Sequence, residues 1–136
     1  MELAVTRSAL DAMLAHAARA HPEECCGLLF GGPERQGVPS LAAAEPARNV
    51  APDRARHFEI DPQALIDGHR AERAGGRRLL GYYHSHPTGL AEPSPTDQAE
   101  ASGDGRIWAI MAGETVGFWR DAGGHFAPLC YRVVDG

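Results

Sequence analysis

The sequence contains no apolar run close to the ~18 residues that a membrane-spanning helix needs. Its first residues also lack the basic and then apolar segment that is typical of a secretory signal peptide. These absences argue against a protein that crosses a membrane or is secreted. We therefore expect a cytoplasmic protein with no membrane partner.

Cysteine is scarce: the chain has 3, and two of them, Cys25 and Cys26, are adjacent. An odd count without a Cys-x-x-Cys pair predicts neither a disulfide framework nor a cysteine zinc site. Cys25 and Cys26 are therefore interpreted as small buried apolar residues. The cysteine content fits a reducing compartment.

The chain has no excess of positive charge, since its net charge is -5. Nonspecific binding to nucleic acid depends on Lys and Arg side chains that neutralise phosphates. The charge therefore argues against a nucleic-acid partner. Four arginines do cluster, but their spacing is more typical of a solvated helix face: Arg70, Arg73, Arg77 and Arg78.

Two familiar zinc-hydrolase motifs are absent. The chain has no His-Glu-x-x-His run, the motif that carries two zinc ligands on one helix of many metalloproteases. It also has no Pro-Cys-x-x-Cys run, which argues against a nucleobase deaminase. A zinc hydrolase of either type is not expected.

The 136 residues fit one domain with a single core, residues 1–136. Thr6 predicts the N-cap of a helix that runs to about Arg19 and packs on a sheet. Asp61 followed by Pro62 predicts a second helix that ends at about Ala74. Extended segments or strands are predicted at 28–30, 38–51, 57–60, 79–84, 107–111, 115–120 and 126–134. This order of elements indicates an α+β fold.

The most informative stretch runs from Leu80 to Ala101. His84 and His86 fall at the end of a predicted strand, where residues i and i+2 point to the same face. Two imidazoles on one face can chelate a divalent ion, and Asp97 follows at the start of a helix of which residues 98–101 form the first turns. The Asp97 carboxylate can turn back toward both histidines. Since a catalytic zinc keeps three protein ligands and a water, the stretch predicts a zinc site formed by His84, His86 and Asp97.

A second block begins at Glu24 and leads into the apolar run 28–30, which we expect to end at Gly31-Gly32-Pro33. Alternation places Glu24 and Cys26 on one face of this strand. A glutamate that leads into a buried strand is costly without a partner. Glu24 is therefore either exposed at the mouth of the strand or paired with a functional group.

Together the two blocks resemble the JAMM (MPN-plus) metallopeptidases. The signature of that family is His-x-His, seven residues, Ser, two residues and Asp, with an upstream Glu-x-x-Gly run. All five positions are present here: Glu24, His84, His86, Ser94 and Asp97. The resemblance covers a whole domain. It implies an MPN/JAMM-type, cytidine-deaminase-like fold, in which a mixed β-sheet is flanked by helices, and one Zn2+ per chain.

The resemblance also implies catalytic roles for Glu24 and Ser94. Glu24 is expected to take a proton from a zinc-bound water that attacks a carbonyl, and to deliver it to the leaving amine. Ser94 is the candidate donor to the oxyanion. Ser85 lies on the opposite face of its strand and is assigned a structural role. A less favoured alternative makes Cys26 a fourth ligand that masks the zinc.

The substrate that the resemblance implies is a peptide or isopeptide bond after a C-terminal Gly-Gly tail. The partner would be a ubiquitin-like protein or a sulfur-carrier protein, with the segment 48–60 as one wall of the groove for its tail. The chain is most similar to the small stand-alone prokaryotic members, and a homodimer is compatible with that likeness.

Two other functions are considered. A noncatalytic scaffold module of the same fold is disfavoured because such relatives lose metal ligands, and none is lost here. A relative associated with DNA repair would favour a basic surface and an added DNA-binding module, which the acidic balance does not support.

Overall fold

The computed structural model of the protein describes residues 2–136. Within this range the chain forms seven strands and three helices: β1 (Glu2–Thr6), α1 (Arg7–Ala20), β2 (Cys26–Arg35), β3 (Val38–Ala47), α2 (Pro62–Arg73), β4 (Leu79–Ser85), α3 (Pro95–Glu100), β5 (Ile107–Ala112), β6 (Thr115–Asp121) and β7 (Phe126–Val134). None of the three helices is long and apolar enough to cross a bilayer.

The strands form a closed barrel in the order β1-β3-β2-β4-β5-β6-β7. β1 closes it by pairing in parallel with β7, from Glu2 opposite Cys130 to Thr6 opposite Val134. The β4–β5 pair is also parallel, whereas β2 is antiparallel to both β3 and β4. The predicted mixed sheet with helices is confirmed. Its closure was not predicted, because the short β1 passes directly into the helix cap at Thr6 and was not recognised as a strand.

Both long helices begin and end close to the positions predicted from their caps. The Thr6 side chain accepts a hydrogen bond from the Ala9 N–H at 3.2 Å and starts α1. The Asp61 side chain accepts from the Gln63 N–H at 3.1 Å and starts α2, with proline in its first turn. Each cap satisfies a donor that the helix leaves unpaired.

The helices cover two different faces of the sheet, and β2 contributes to both. Leu29 packs with the buried face of α1 in one apolar cluster, whereas Leu28 and Phe30 belong to a second cluster. Gly68 of α2 lies against Leu28, where a β-carbon would stand 3.0 Å from the Leu28 Cδ1. Successive side chains of β2 therefore point alternately into two different apolar clusters, as expected for a strand.

The prediction that β2 ends at Gly31-Gly32-Pro33 is wrong. β2 continues to Arg35 and forms a hairpin with β3, in which Gln36 and Gly37 have φ angles of 54° and 80°. Register shifts after Phe30 and after Gly32 mark bulges in this ladder. Because bulges accommodate glycine and residues without an N–H, these three residues bend the strand without ending it.

The site is positioned by the pairing of β2 with β4. Cys26 is opposite His84, so the start of β2 and the end of β4 meet at one edge of the sheet. Gly27 permits this approach, because a β-carbon at this position would collide with the Tyr83 ring and the Glu45 carbonyl oxygen. Glu24 is thereby brought to the same end of the sheet as the two histidines.

Candidate metal centre

His84 and His86 leave the end of β4 toward one point. His84 is completely buried, and its Nε2 lies 3.1 Å from the Nε2 of His86. The His86 N–H donates to the Met111 carbonyl at 2.7 Å, which prolongs the contact between β4 and β5 beyond the last strand residue. Both imidazoles are therefore carried by a hydrogen-bonded backbone.

Asp97 reaches the same point from α3. Ser94 is the N-cap of this helix: its Oγ accepts from the Asp97 N–H at 3.0 Å, and its own N–H donates to Asp97 Oδ2 at 2.9 Å. This capping box directs the carboxylate back over the start of the helix. Asp97 Oδ2 lies 3.2 Å from the Nε2 of both His84 and His86. The helix begins at Pro95, earlier than expected from the sequence, because Ser94 and Asp97 cap it together.

The triangle formed by these three atoms fits the dimensions of a zinc site. Zinc bonds of 2.0–2.2 Å in a tetrahedral site place two ligand atoms about 3.3–3.6 Å apart, slightly farther than in this triangle. The observed edges are 3.1, 3.2 and 3.2 Å. Two imidazole nitrogens and one carboxylate oxygen are also a ligand set that zinc accepts. His84, His86 and Asp97 are therefore suited to hold the metal.

The outer nitrogens of the two histidines have different surroundings. His86 Nδ1 donates to the Leu90 carbonyl at 2.8 Å, so Nε2 is the nitrogen that can bind a metal once it has given up its proton. Within residues 2–136, His84 Nδ1 has no hydrogen-bond partner. The His84 ring is instead stacked on Phe58, with centroids 4.1 Å apart and planes inclined by 16°. Packing rather than a second hydrogen bond orients His84.

The electrostatics of this group favour an ionised Asp97. Burial lowers the pKa of His84, so this imidazole is neutral and has a lone pair to offer. Burial would also lower the pKa of His86, but hydrogen bonds to Asp97 and Leu90 outweigh it and raise the pKa. Burial alone would raise the pKa of Asp97, but the hydrogen bonds with both histidines hold it well below its usual range.

Glu24 joins the group more loosely. One of its carboxylate oxygens and one nitrogen of each histidine all lie within 4.8 Å of one another, a wider grouping than the triangle with Asp97. Burial raises the pKa of Glu24 to about 7, while His86 lowers it and Asp97 raises it further. A carboxyl group with this pKa can accept and donate protons near neutral pH, which a general base and acid must do.

Two clefts meet at Glu24. One has a volume of about 400 Å³ and is bordered by His86, Ser94 and Arg56. The other has a volume of about 520 Å³ and lies between the end of α1 and the end of β3, bordered by Arg48 and others. An extended chain and the group attached to it could therefore approach Glu24 from different sides.

The structure thus brings together all five residues singled out in the sequence, Ser94 included. Ser94 borders the first cleft, and because its Oγ accepts from the Asp97 N–H, its own hydroxyl hydrogen remains available for donation. Cys26 has a different environment. Burial raises the pKa of its thiol to about 12, and its Sγ lies 3.6 Å from the Arg48 carbonyl oxygen. Cys26 packs in the second apolar cluster, in keeping with its interpretation as a small buried apolar residue.

Two residues near the site, Phe58 and Asn49, have roles that were not foreseen, and a third, Ser85, has the structural role assigned to it. Phe58 stacks on His84. Ser85 Oγ accepts a hydrogen bond from the Cys25 N–H at 2.9 Å. This bond between β4 and the start of β2 is the structural contact that Ser85 makes. Asn49 donates to the Glu24 carbonyl at 2.9 Å. Only Asn49 carries a local signal, since asparagine often bonds to nearby backbone groups, although it lies in the predicted strand 38–51, which ends at Ala47 in the structure.

A family model and several curated proteins match most of this chain. A family model described as prokaryotic homologs of the JAB domain matches residues 6–122. The desampylase of Haloferax volcanii is 35% identical over 114 residues, which cover 81% of this chain and 80% of that protein. A probable TtuB-protein conjugate cleaving protease of Thermus thermophilus is 39% identical over 99 residues, covering 73% of this chain and 63% of that protein, just under two thirds of its length. The CysO-cysteine peptidase of Mycobacterium tuberculosis is 29% identical over 138 residues, covering 98% and 84%.

Solved structures show the same fold. A solution structure of a protein from Desulfitobacterium hafniense has a TM-score of 0.83 at 25% identity and covers 98% of this chain and 94% of that chain. The crystal structure of a JAB1/MPN domain protein from Archaeoglobus fulgidus has a TM-score of 0.58 at 20% identity and covers 94% and 97%. These two matches confirm the MPN-type fold that was expected from the sequence.

Proposed function

This chain belongs to the family of prokaryotic homologues of the JAB domain, and on that premise we propose that it is a zinc-dependent peptidase or isopeptidase. Its substrate is the amide bond that follows the C-terminal Gly-Gly of a ubiquitin-like or sulfur-carrier protein. The observation that carries this proposal is the triangle of His84, His86 and Asp97, with edges of 3.1–3.2 Å, beside the buried carboxyl group of Glu24. Two relatives named as a conjugate-cleaving protease and a CysO-cysteine peptidase support the choice of substrate.

The positions of the residues support the following roles. His84, His86 and Asp97 would hold the zinc, which when bound would act as a Lewis acid and lower the pKa of water to about 7. Glu24 takes a proton from the water that attacks the carbonyl carbon and gives a proton to the amine as the C–N bond breaks. The Ser94 hydroxyl donates a hydrogen bond to the carbonyl oxygen as negative charge develops on it.

The two clefts that share Glu24 suggest how the substrate lies. We place the Gly-Gly tail in the cleft bordered by Arg48 and the leaving amine in the cleft bordered by Ser94. Glycine has no side chain, so a diglycine end can approach buried metal ligands more closely than bulkier residues. This placement keeps the segment 48–60 as one wall of the tail groove.

A matched set of fusion proteins tests the proposal. A ubiquitin-fold protein is extended past its C-terminal Gly-Gly, and the same fusion is made with Val-Val in place of the diglycine. Mass spectrometry should show hydrolysis directly after Gly-Gly, a rate at least tenfold lower on Val-Val, and no product after chelation. Glu24→Gln should bind zinc but lose nearly all turnover. Equal rates on both tails, or cleavage that survives chelation, would contradict the proposal.

We further propose that residues 1–136 act as one catalytic domain. Support comes from the barrel, in which β1 and β7 from opposite ends of the described chain are adjacent. A noncatalytic scaffold is disfavoured because the site retains every residue of the metal triangle and Glu24. The cytoplasmic location, the homodimer and the likeness to cytidine deaminases stay predictions.

A further inference from the structure

We propose that Asn49 is a positioning residue for the general base: its amide holds the main chain of Glu24 in place and ties it to the segment 48–60. The proposal rests on the proposed function, since Glu24 acts as a base only in that reaction. The bonds of Asn49, the loop that it fills and the separate support of the metal ligands all point to this role.

The side chain of Asn49 uses its full capacity for hydrogen bonds. Its Nδ2 donates to the carbonyl oxygens of Glu24 at 2.9 Å and His57 at 3.0 Å. Its Oδ1 accepts from the N–H groups of Ala51 and Glu59, both at 3.0 Å. An amide group has two donors and two acceptor lone pairs, so no bond remains unmade. Asn49 is also the only asparagine in the chain.

These bonds place Asn49 inside a closed loop. The Val50 N–H donates to the Glu59 carbonyl at 2.9 Å, and the Asp61 N–H donates to the Arg48 carbonyl at 3.0 Å, which joins the two ends of the loop. Inside this loop, the Asn49 side chain bonds to Ala51 on the outgoing segment and to His57 and Glu59 on the returning segment. The loop carries Phe58, whose ring lies on His84.

The same loop holds both main-chain groups of Glu24. Its carbonyl accepts from Asn49, and its N–H donates to the Arg54 carbonyl at 2.7 Å. On the opposite side, the next residue is bound to β4, because Cys25 exchanges hydrogen bonds with Ser85. Glu24 precedes β2 and has no ladder partner in that strand, so Asn49 and Arg54 replace the ladder for this residue.

The main chains of the metal ligands are held by other parts of the fold, and Phe58, which packs on His84, is the contact from this loop to a ligand side chain. His84 and His86 are carried by β4 and its extension toward β5, and Asp97 is carried by the capping box of α3. None of the four hydrogen bonds of Asn49 involves a ligand residue. Loss of the Asn49 bond should therefore displace the base and leave the zinc site intact. A displacement of about 1 Å can lower a rate by roughly 10²-fold.

Asn49→Asp separates these effects. The carboxylate keeps the acceptors for Ala51 and Glu59, but it cannot donate to the Glu24 and His57 carbonyls. In the zinc-loaded protein we expect a loss of kcat of roughly 10²-fold, with the zinc dissociation constant changed by less than threefold. Because Asn49 also borders the cleft assigned to the tail, any change in KM reports on tail binding and not on the base. Gln63→Glu is the matched control, since it makes the same amide-to-acid change in the exposed first turn of α2. This control should keep the kcat of the parent protein.

A second, uncharged variant and a second readout make the test independent of activity. Asn49→Ser should show the same loss of kcat without an added charge. Hydrogen exchange followed by NMR should show at least tenfold faster exchange of the Glu24 amide in both variants, with the Ser85 amide unchanged. If the parent protein cleaves no diglycine fusion, the proposed function fails, and the exchange rates still test whether Asn49 holds Glu24. A parental kcat in both variants, unchanged exchange at Glu24, or a parallel loss of zinc binding would overturn the positioning role.

Discussion

His84, His86 and Asp97 are held in a zinc-sized triangle by bonds within the protein. Asp97 is bound by the Ser94 N–H, and His86 is oriented by the Leu90 carbonyl. Such outer contacts fix which nitrogen faces a metal and the direction of its lone pair. At the scale of single residues, this arrangement therefore has the spacing and the ligand atoms that a divalent ion requires.

The first prediction concerns metal content. The purified protein should hold about one zinc per chain, the number expected for one three-ligand site. His84→Ala combined with His86→Ala removes two ligands and should abolish this zinc, whereas His125→Ala, at an exposed position, should keep it. Metal analysis by mass spectrometry measures the ratio. Full zinc occupancy in the double variant would refute the ligand assignment.

A second prediction separates two roles of Ser94. Ser94→Ala removes both the hydroxyl donor and the helix cap, so kcat should fall by roughly 10²-fold and stability by about 0.5–2 kcal/mol. Ser94→Thr keeps a hydroxyl and a cap, and it should retain most of both. Steady-state kinetics and thermal unfolding measure the two effects. A change in stability without a change in kcat would leave Ser94 only as a cap.

At the scale of elements, the start of β2 depends on a close approach to β3 and β4. Tyr83 and Glu45 leave no space for a β-carbon at Gly27. This contact gives a physical reason for the glycine of the Glu-x-x-Gly run, three residues after the proposed base. A side chain here would push β2 away from β4 and would move Glu24 relative to the histidines.

We therefore expect Gly27→Ala to destabilise the protein by at least about 2 kcal/mol, as in an overpacked core. Thermal unfolding should show a decrease in Tm of roughly 6–10 °C. Gly31→Ala in the same strand is the control. Its β-carbon would lie 3.2 Å from the flexible end of Leu80, so its Tm should fall less. Equal Tm values for both variants would show that the close approach at Gly27 has no special cost.

At the scale of the whole molecule, the chain contains no lysine: all 13 of its Lys and Arg residues are arginines. An isopeptide bond to a Gly-Gly tail forms on a primary amine, and the guanidinium group of arginine stays protonated and is not such an amine. An enzyme that removes ubiquitin-like proteins from amines would thereby have no side-chain amine of its own to be modified.

This composition leads to a prediction on modification. In cells that contain a conjugation system for a ubiquitin-like protein, the Glu24→Gln variant should carry no diglycine remnant on a side chain. Adding Arg70→Lys on the exposed end of α2 supplies an amine and should permit a remnant at that position. Peptide mass spectrometry detects the remnant. Side-chain remnants without the added lysine would contradict the prediction.

Much of the local structure follows from the sequence. Thr6, Asp61 and their neighbours determine where α1 and α2 begin, because a cap acts within three residues of its own position. The two-residue period of a strand places His84 and His86 on one side of β4. The Ser94 and Asp97 spacing contains the capping box that turns the carboxylate back. These rules operate over a few residues, so a single sequence is enough to apply them.

The tertiary structure decides what lies far apart in the chain. Cys25 and Ser85 are 60 residues apart in sequence, and only the pairing of β2 with β4 brings Glu24 to the histidines. The closure of the barrel depends on β1 meeting β7, and the two bulges that let β2 continue past Phe30 depend on its partner β3. The four bonds of Asn49 likewise require the loop to be closed. Each of these contacts is stabilised by a partner that is distant in the sequence, and rules that act over a few residues cannot identify that partner. These contacts are therefore determined only when the whole chain is folded.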